Sequence, residues 1–387
     1  MRPVYISGIG QTPSGEHWDK NALDLAYSAA QSALAGQTAP IGAVYVANAL
    51  SAALGNQSNL APAVAAAVGL AGVETLSIDA GAAAGGLALR QAMLAVAAGV
   101  YEAVLVVGVE KVSDVLDERR EAALALTMDA DWEAFHGVTA TAQWAMLMRL
   151  YMHEYAVPAA AFAPFPVNAH ANAVKNPNAL YRFPISADKY AGAAAVAAPL
   201  GLLDCSTEVD GAAAVVVTAQ PGAGQPAIRI AGSGVASAPV ALASRPALLR
   251  LEAVAVSYER ALTQAGIDRS AVDVLDVYDP HAISAILALE AMGYADTGTG
   301  YTLGAAGAIT PSGSVPLALT GGCKARGNLL GALGVAQVVE LTQQLRGSAV
   351  TQVADARVAV AQCMAGVGVT VVTHVLVRDE PAAAARG

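Results

Sequence analysis

The sequence predicts a layered α/β protein made of two similar halves. Strand-like and helix-like segments alternate along the chain, which is typical of α/β folds. The order of segments near the N-terminus returns after position 228. Continuous apolar segments such as AVLVVGV (residues 103–109) are typical of strands covered on both faces. The alternation also predicts a mostly parallel strand order.

Each half contains the same series of segments: a short strand with a glycine turn, an amphipathic helix, a second strand, a small-residue loop leading into a helix, and a closing apolar strand. In the first half these segments are residues 4–13, 22–35, 43–48, 77–92 and 212–219. In the second half they are residues 228–237, 249–265, 274–279, 318–337 and 369–377. We therefore expect both halves to share one topology.

The composition of the chain predicts where the halves join. The stretch QPGAGQPA is rich in Pro and Gly, so we predict an N-terminal half over 1–220, a linker over 221–227 and a C-terminal half over 228–387. Residues 128–198 resemble a helical and loop insertion in the first half. Aromatic and histidine residues in this insertion either attach it to the core or line a substrate pocket. They are Trp132, Phe135, His136, Trp144, Tyr151, His153, Tyr155, Phe162, Phe165 and His170.

Composition and charge exclude several classes of function. The 387 residues are 55% hydrophobic and only 13% charged, enough to bury a large core. The net charge is -10 with no Lys/Arg-rich run, which argues against a nucleic-acid partner. Cys205, Cys323 and Cys363 lie far apart without C-x-x-C spacing, so we expect neither a disulfide framework nor a metal site.

One uncharged stretch, residues 358–377, is long enough to cross a membrane. Its glycines, glutamine, threonines and histidine favour two buried strands joined by a glycine turn instead. The N-terminus leads directly into a strand pattern without a signal-peptide core. We therefore expect a cytoplasmic protein with no membrane span.

Five stretches in order resemble the thiolase superfamily, in particular its lipid-transfer-protein-type and archaeal-type thiolases, the family of acetyl-CoA acetyltransferases. They are GVEKVSD (108–114), YMHEYAV (151–157), NAHANAVKNPNALYR (168–182), APLGLLDCSTEVDGAAAVVV (198–217) and GGCKARGNLLGALGVAQVVELTQQLRG (321–347).

This resemblance implies a five-layer αβαβα sandwich. It also implies acyl-CoA thioesters as substrates, a role in lipid metabolism and no tightly bound cofactor. Members are homodimers or dimers of dimers, and archaeal-type thiolases often pair with a small zinc-ribbon/OB-fold protein that binds acyl-CoA.

Thiolase chemistry uses a thiolate to carry the acyl group, a base for the α-carbon and donors for an oxyanion. The thiolase cysteine lies at a helix N-terminus, in a motif that aligns with IDAGAAAGGLALRQA (78–92), and Ala82 takes its place. The histidine of the family's G-H-P motif aligns with Asn328, whose amide donates hydrogen bonds but is neither acid nor base.

Two further motifs depart from the family pattern. The N-E-A-F or H-D-C-F motif aligns with Tyr278, Asp279, Pro280 and His281. In the C-terminal turn QCMAGVGVT, Cys363 falls at, or within one residue of, the position where some thiolases carry a base cysteine. The candidate catalytic set is therefore Tyr278, Asp279, His281, Asn328 and Cys363, around the vacated nucleophile position at Ala82.

The sequence leaves three hypotheses for function. The first is an acyltransferase-like enzyme that binds acyl-CoA without a covalent cysteine and makes or breaks a carbon–carbon bond, for example by retro-aldol cleavage. Some thiolase-like aldolases of steroid side-chain breakdown work without that cysteine, with motifs other than these. The second is a non-catalytic binding or scaffold subunit of a thiolase-type complex. The third is an inactivated Cys-to-Ala variant of a true acetyl-CoA acyltransferase. The presence of Asn328 at the histidine position argues against this third hypothesis.

Overall fold

The computed structural model describes residues 2–379. The strands in this range are β1 (Tyr5–Gln11), β2 (Ile41–Ala47), β3 (Glu74–Ile78), β4 (Ala103–Glu110), β5 (Ala195–Ala197), β6 (Leu200–Gly201), β7 (Gly211–Thr218), β8 (Ile228–Ser237), β9 (Val274–Asp276), β10 (Val358–Ala365) and β11 (Thr370–Arg378).

The α-helices are α1 (Ala22–Leu34), α2 (Ser51–Leu54), α3 (Leu60–Ala67), α4 (Ala84–Ala97), α5 (Asp117–Leu124), α6 (Ala140–Glu154), α7 (Pro164–Ala173), α8 (Ala187–Ala191), α9 (Glu252–Ala265), α10 (Ala282–Ala291), α11 (Tyr301–Ala305) and α12 (Leu333–Arg346).

The strand order shows the duplication directly. Nine strands follow the order β3-β2-β4-β7-β1-β8-β11-β10-β9. Read outward from the junction of β1 with β8, the series β1-β7-β4-β2 matches β8-β11-β10-β9 in order and in relative direction. At the position of the edge strand β3, the second half has a single bridge between Leu275 and Leu317. The two halves therefore share one topology, as the repeat predicts.

Alternating side chains build the five layers. Along β4, Val104 and Val106 pack against the helices α4 and α12, whereas Leu105 and Val107 pack against α1 and α3 on the other face. In the second half, the outer face of β10 and β11 packs against α9 and α10. Helices α4 and α12 thus form a central layer between two sheet halves, with helices outside both. The predicted αβαβα sandwich is confirmed.

The predicted parallel order is wrong for most of the sheet. Only β2 with β3, β2 with β4 and β9 with β10 pair in parallel, while the other five pairings of the nine-stranded sheet are antiparallel. The short turn between β10 and β11, with Gly366 and Gly368 both at positive φ, forces an antiparallel hairpin. The two buried strands predicted for residues 358–377 are confirmed as this hairpin.

The second strand of the second half ends earlier than predicted, at Asp276 instead of Asp279. The reason is local. The backbone N–H of Tyr278 donates to the side-chain oxygen Oε1 of Gln362 at 3.2 Å, and not to a neighbouring strand. The last residues of the predicted C-terminal half, 380–387, lie outside the described residues. None of the helices within 2–379 has the length and apolar character needed to cross a membrane.

Glycines let the two central helices meet at their N-terminal ends. A Cβ placed on Gly85 would lie 2.9 Å from the backbone nitrogens of Gly334 and Val335. A Cβ on Gly334 would lie 2.4 Å from the nitrogen of Gly86. This close approach brings the loop before α4, with Ala82, next to the loop before α12, with Asn328.

Candidate active site

A cavity of about 220 Å³ opens where these two loops meet. The segment after β9, the segment before β7 and residues of α5 and α6 contribute to its walls. The polar and ionisable side chains that line it are Glu121, Thr127, Thr141, Gln143, Cys205, Ser206, Glu208, Tyr278, His281 and Asn328. Four of the six candidate residues from the sequence, Ala82, Tyr278, His281 and Asn328, therefore share one cavity.

Ala82 lies directly before Ala83, the N-cap residue of α4, and is only 4% exposed. The preceding Gly81 has φ +53°, a conformation that favours glycine, and this turn directs the chain into the helix. The positive end of the helix dipole is therefore next to a methyl group instead of a thiolate. The position can stabilise negative charge on a bound molecule, but it cannot carry an acyl group.

Asn328 is held by a segment from the first half of the chain. Its backbone N–H donates to the Thr207 carbonyl at 2.8 Å, and its own carbonyl accepts from the Val209 N–H at 3.1 Å. The side-chain oxygen accepts from the Leu330 N–H at 3.2 Å, which turns the amide nitrogen toward Glu208 and Tyr278. Asn328 therefore presents a donor to the cavity in a fixed orientation.

Tyr278 presents a phenol that keeps its proton. Burial, followed by the nearby Cys323 and Glu208, raises the pKa of Tyr278 well above its usual range, against a hydrogen bond with Asn328 that lowers it. A phenol in this state is a hydrogen-bond donor at neutral pH. Together, Tyr278 and Asn328 supply two donors of the kind that stabilise an enolate oxygen.

His281 is a neutral imidazole in this site. Burial, and then the positive charge of Lys324, lower the pKa of His281 to about 3. Its Nε2 lies 3.4 Å from the Thr141 hydroxyl, and its ring centroid is 6.1 Å from that of Trp144. Within residues 2–379 its Nδ1 is buried and has no hydrogen-bond partner.

The structure places two predicted residues outside this cavity. Asp279 turns away from it and accepts the backbone N–H of Cys323 at 2.6 Å, so it anchors the turn before Asn328; burial raises its pKa to about 6. Cys363 lies on β10 behind α4, with its sulfur 3.9 Å from the Ala83 carbonyl oxygen, and burial raises its pKa to about 12. Side chains alternate between the two faces of a strand, so an alignment shifted by one residue predicts the opposite face for Cys363.

Sequence reasoning missed several residues of the cavity. Glu208 lies in one of the stretches that resemble the family, 198–217, but outside the motifs that predict the site, and the structure places it beside Asn328. Thr141 and Trp144 come from α6, within the predicted insertion. Trp144 thus fits the pocket interpretation of that segment, whereas Tyr151, Phe162 and Phe165 pack in the core. The signal available in the sequence was the position of Glu208 two residues before Asp210, which directly precedes the buried strand β7.

A buried carboxylate joins the segment 48–50 to the loop that carries Asn328. Glu110, at the end of β4, accepts hydrogen bonds from the backbone N–H groups of Ala49, Leu50 and Gly331 at 2.9, 3.2 and 3.1 Å, and from the Asn48 amide at 3.0 Å. Burial raises its pKa to about 7, against these four donors. Glu110 therefore couples the wall formed by Ala49 and Leu50 to the loop of Asn328.

Larger cavities than this one occur elsewhere in the described part of the chain. A larger cavity of about 660 Å³ lies at the linker between β7 and β8, where prolines, glycines and Tyr5 contribute to its lining, far along the chain from the segments that carry Ala82 and Asn328. In residues 2–379, no group of three or more His, Cys, Asp and Glu side chains is arranged to hold a metal ion.

The fold and the site together define a class of protein: an α/β sandwich of two equivalent halves with a catalytic-type cavity at the facing N-termini of its two central helices. Residues 4–220 match the family model described as "Thiolase, N-terminal domain", and residues 232–378 match "Thiolase C-terminal domain-like". The chain belongs to the thiolase superfamily.

Its relatives act on CoA thioesters in more than one way. An acetyl-CoA acetyltransferase of Methanothermobacter thermautotrophicus is 34% identical over 98% of this chain and 100% of its own length. The 17-hydroxy-3-oxo-4-pregnene-20-carboxyl-CoA lyase of Mycobacterium tuberculosis is 29% identical over 90% of this chain and 93% of its own length. A solved structure titled "Ltp2-ChsH2(DUF35) aldolase" superposes with a TM-score of 0.82 at 25% identity, covering 98% of both chains.

Proposed function

We propose that this protein cleaves or forms a carbon–carbon bond in an acyl-CoA thioester without forming an acyl-enzyme. The observation that carries the proposal is the composition of the cavity: Ala82 at the position of the nucleophile, facing the donors of Tyr278 and Asn328 and a neutral His281. Similarity to a CoA lyase and to a structure titled as an aldolase supports the same chemistry.

Retro-aldol cleavage of a β-hydroxyacyl-CoA needs no covalent carrier. The β-hydroxyl loses its proton, the bond between Cα and Cβ breaks, and its electron pair moves onto the thioester oxygen as an enolate. The former hydroxyl carbon leaves as an aldehyde or ketone, and protonation of Cα gives a shorter acyl-CoA. Tyr278 and Asn328 would hold the enolate oxygen through hydrogen bonds that strengthen as its charge develops.

The test is a panel of β-hydroxyacyl-CoAs of different acyl lengths, with products identified by mass spectrometry. We expect at least one member to give a carbonyl fragment and a shorter acyl-CoA, and Tyr278→Phe to lower the rate about 100-fold, since removal of one oxyanion donor has that effect. Absence of cleavage across the panel would contradict the proposal.

Assembly with other chains is a second part of the proposal. A homodimer is supported by the free edge of β3, where Leu76 is 40% exposed at the end of the nine-stranded sheet. A small acyl-CoA-binding partner of the zinc-ribbon/OB-fold kind is supported by the neighbour's title, which names a second, DUF35 protein. A surface for such a partner is supported by large apolar side chains that are exposed between β4 and α6, beside the cavity: Leu116, Leu126, Trp132 and Phe135.

A non-catalytic scaffold is the alternative function, and it predicts no turnover of any thioester. Affinity for acetyl-CoA separates the two. The enzyme binds it through the cavity, and Ala82→Trp, which fills that cavity, abolishes binding. A scaffold that keeps only the partner interface binds no acyl-CoA with or without the substitution.

A further inference from the structure

The cavity contains donors for an enolate, but its named side chains are poor proton acceptors. The raised pKa of Tyr278 keeps the phenol protonated. A histidine whose pKa lies near 3 is a weak base at neutral pH. Burial raises the pKa of the Cys205 thiol to about 12, so it too remains protonated. A bond cleavage that begins with loss of a hydroxyl proton requires another group.

Glu208 is the carboxyl group best placed for that role. It lies on the segment between β6 and β7, which crosses the cavity and pairs with Asn328 on one side through a parallel bridge. On the other side, the same segment pairs with the start of α10, where the Ser206 N–H donates to the Pro280 carbonyl at 2.7 Å. Backbone pairing on both sides fixes the position of this carboxyl between the Asn328 loop and the Tyr278 to His281 segment.

The surroundings of Glu208 are those of an acid–base group. It lines the same cavity as Ala82 and lies beside Asn328, with which its backbone forms a bridge. Glu121, the other carboxyl in the lining, lies in α5 and is exposed. Burial chiefly raises the pKa of Glu208; the charge of Glu121 adds to this, while Arg120 and the Asn328 hydrogen bond lower it. A raised carboxyl pKa brings the group closer to the pH at which it must both take and return a proton.

We propose that Glu208 is the catalytic acid–base of this site, an inference that rests on the proposed carbon–carbon chemistry. Its carboxylate takes the proton of the β-hydroxyl as the bond between Cα and Cβ breaks and the electron pair moves to the thioester oxygen. The carboxylic acid then returns that proton to Cα, as the enolate collapses to the shorter acyl-CoA. One proton moves from oxygen to carbon, so no further reactant is needed.

The experiment compares two reactions in four proteins: wild type, Glu208→Gln, Glu208→Asp and Glu118→Gln. The first reaction is exchange of the α-hydrogens of acetyl-CoA and propionyl-CoA with D₂O, followed by mass spectrometry, which needs the acid–base group but no β-hydroxyl. The second is cleavage of the β-hydroxyacyl-CoA panel over a range of pH. Glu118 is a matched control because it is an exposed glutamate of α5 that does not line the cavity.

We expect Glu208→Gln to lower both rates about 100-fold or more, the usual contribution of general acid–base catalysis. Acetyl-CoA affinity should be unchanged. Wild-type activity should fall as pH decreases through the raised pKa of Glu208, because the base must be ionised, and Glu208→Asp should keep this acid limb at a reduced rate. Glu118→Gln should behave as wild type.

The outcomes separate this inference from the proposed function. If Glu208→Gln keeps wild-type rates, or only weakens acetyl-CoA binding while turnover is unchanged, Glu208 is a positioning residue for Asn328 and the inference is overturned. Exchange that depends on Glu208 without cleavage of any panel member supports the acid–base role and contradicts retro-aldol cleavage. Absence of exchange in the wild-type protein overturns the acid–base role itself.

Discussion

Under the proposed alignment, Ala82 takes the place of the acyl-carrying cysteine, next to the N-terminus of α4 that would stabilise a thiolate. The neighbouring donors are also different from those of an acyltransferase, because Asn328 stands where an imidazole would share a proton with the thiol. The proposed alignment therefore replaces both the nucleophile and its proton partner. The two changes are therefore consistent with a different reaction and not with a single inactivating substitution.

Restoring the thiol alone should not restore thiolysis. In Ala82→Cys, we expect no thiolysis of acetoacetyl-CoA by CoA, because Asn328 cannot accept the thiol proton and the buried cavity disfavours a thiolate. The double variant Ala82→Cys with Asn328→His should gain measurable thiolysis. Strong activity of the single variant would instead indicate an acyltransferase that has lost only its cysteine.

At this scale, the sequence predicts a residue well when a motif fixes its position. Four candidate residues occupy defined positions within family motifs, and all four line the cavity: Ala82, Tyr278, His281 and Asn328. The side-chain direction of Cys363 depends on strand register, which a motif in a glycine turn does not fix. The contact of Glu208 with Asn328 could not be predicted, because no motif joins these two positions, which are 120 apart (328 − 208).

At the scale of elements, the contact between α4 and α12 sets the geometry of the site. Gly85 and Gly86 in the first turn of α4 face Gly334 in the first turn of α12, so the two backbones meet there without intervening side chains. The cavity therefore depends on how closely these helices pack, and not on the motif residues alone.

Substitution of Gly85 by alanine should separate the two helices. Its Cβ would lie 2.9 to 3.0 Å from three backbone atoms of the segment 331–335, which cannot move as a flexible side chain would. We expect a loss of stability of about 1–3 kcal/mol, the usual cost of overpacking, and a fall in turnover. Gly15→Ala is the control, because a Cβ there meets nothing within 4 Å. Equal urea midpoints for the two variants would contradict this account.

Asp210 joins three segments of the chain through its buried carboxylate. We therefore expect the stability of the fold to decrease in acid. It is fully buried and accepts from Lys111 Nζ at 2.9 Å, the Val112 N–H at 2.7 Å, the Ser113 N–H and hydroxyl at 2.9 and 2.6 Å, and the His17 N–H at 2.9 Å. Burial alone would raise its pKa, but these donors outweigh that effect and lower the pKa below its usual range.

A carboxyl whose folded pKa is lowered stabilises the protein above its unfolded pKa of about 3.9 and loses this contribution as pH falls through the folded value. Asp210→Asn should therefore reduce the free energy of unfolding by about 3 kcal/mol near neutral pH, and the gap to wild type should narrow below about pH 4. Urea denaturation across this range measures both. Asp114→Asn is the control, since its ion pair with Lys111 is exposed; a gap that widens in acid would contradict the sign.

Element type was predictable from the sequence, whereas strand direction was not. Continuous apolar sequence identifies β4, β7, β10 and β11 as strands, because each of them is mostly or fully buried. Direction depends on which strands become neighbours, and β7 pairs with β1 and β4 only after the long insertion returns the chain to the sheet. The pattern of apolar residues within one segment does not indicate which strand will become its neighbour.

At the scale of the whole molecule, one edge of the nine-stranded sheet is left open at β3. The proposed homodimer closes it by pairing with a second copy, since an exposed edge strand with an apolar side chain is otherwise prone to unspecific association. This arrangement would put two equivalent cavities in one assembly.

Leu76→Lys should convert that dimer to a monomer. A charge at the centre of β3 opposes edge-to-edge pairing, so we expect light scattering after size exclusion to show twice the chain mass for wild type and one chain mass for the variant. Val100→Lys, an exposed apolar position outside that edge, should remain dimeric. A wild-type monomer, or a dimer unaffected by Leu76→Lys, would contradict this interface.

The duplication could be predicted from the sequence because each half repeats the same local pattern. The cavity could not, because its walls come from segments near positions 50, 82, 121–144, 196–208, 278–281 and 328–330, which only the packed halves bring together. Fold was therefore accessible from local patterns and four cavity residues from family motifs, whereas the other walls of the cavity required the complete structure.

Non-covalent chemistry at the vacated nucleophile position is tested most directly by intact-mass spectrometry of the protein during turnover of a β-hydroxyacyl-CoA. We predict that a carbonyl product and a shorter acyl-CoA accumulate while the mass of the protein remains that of the unmodified chain. Accumulation of a protein carrying an acyl adduct, or thiolysis of acetoacetyl-CoA by the unmodified chain, would contradict the proposal.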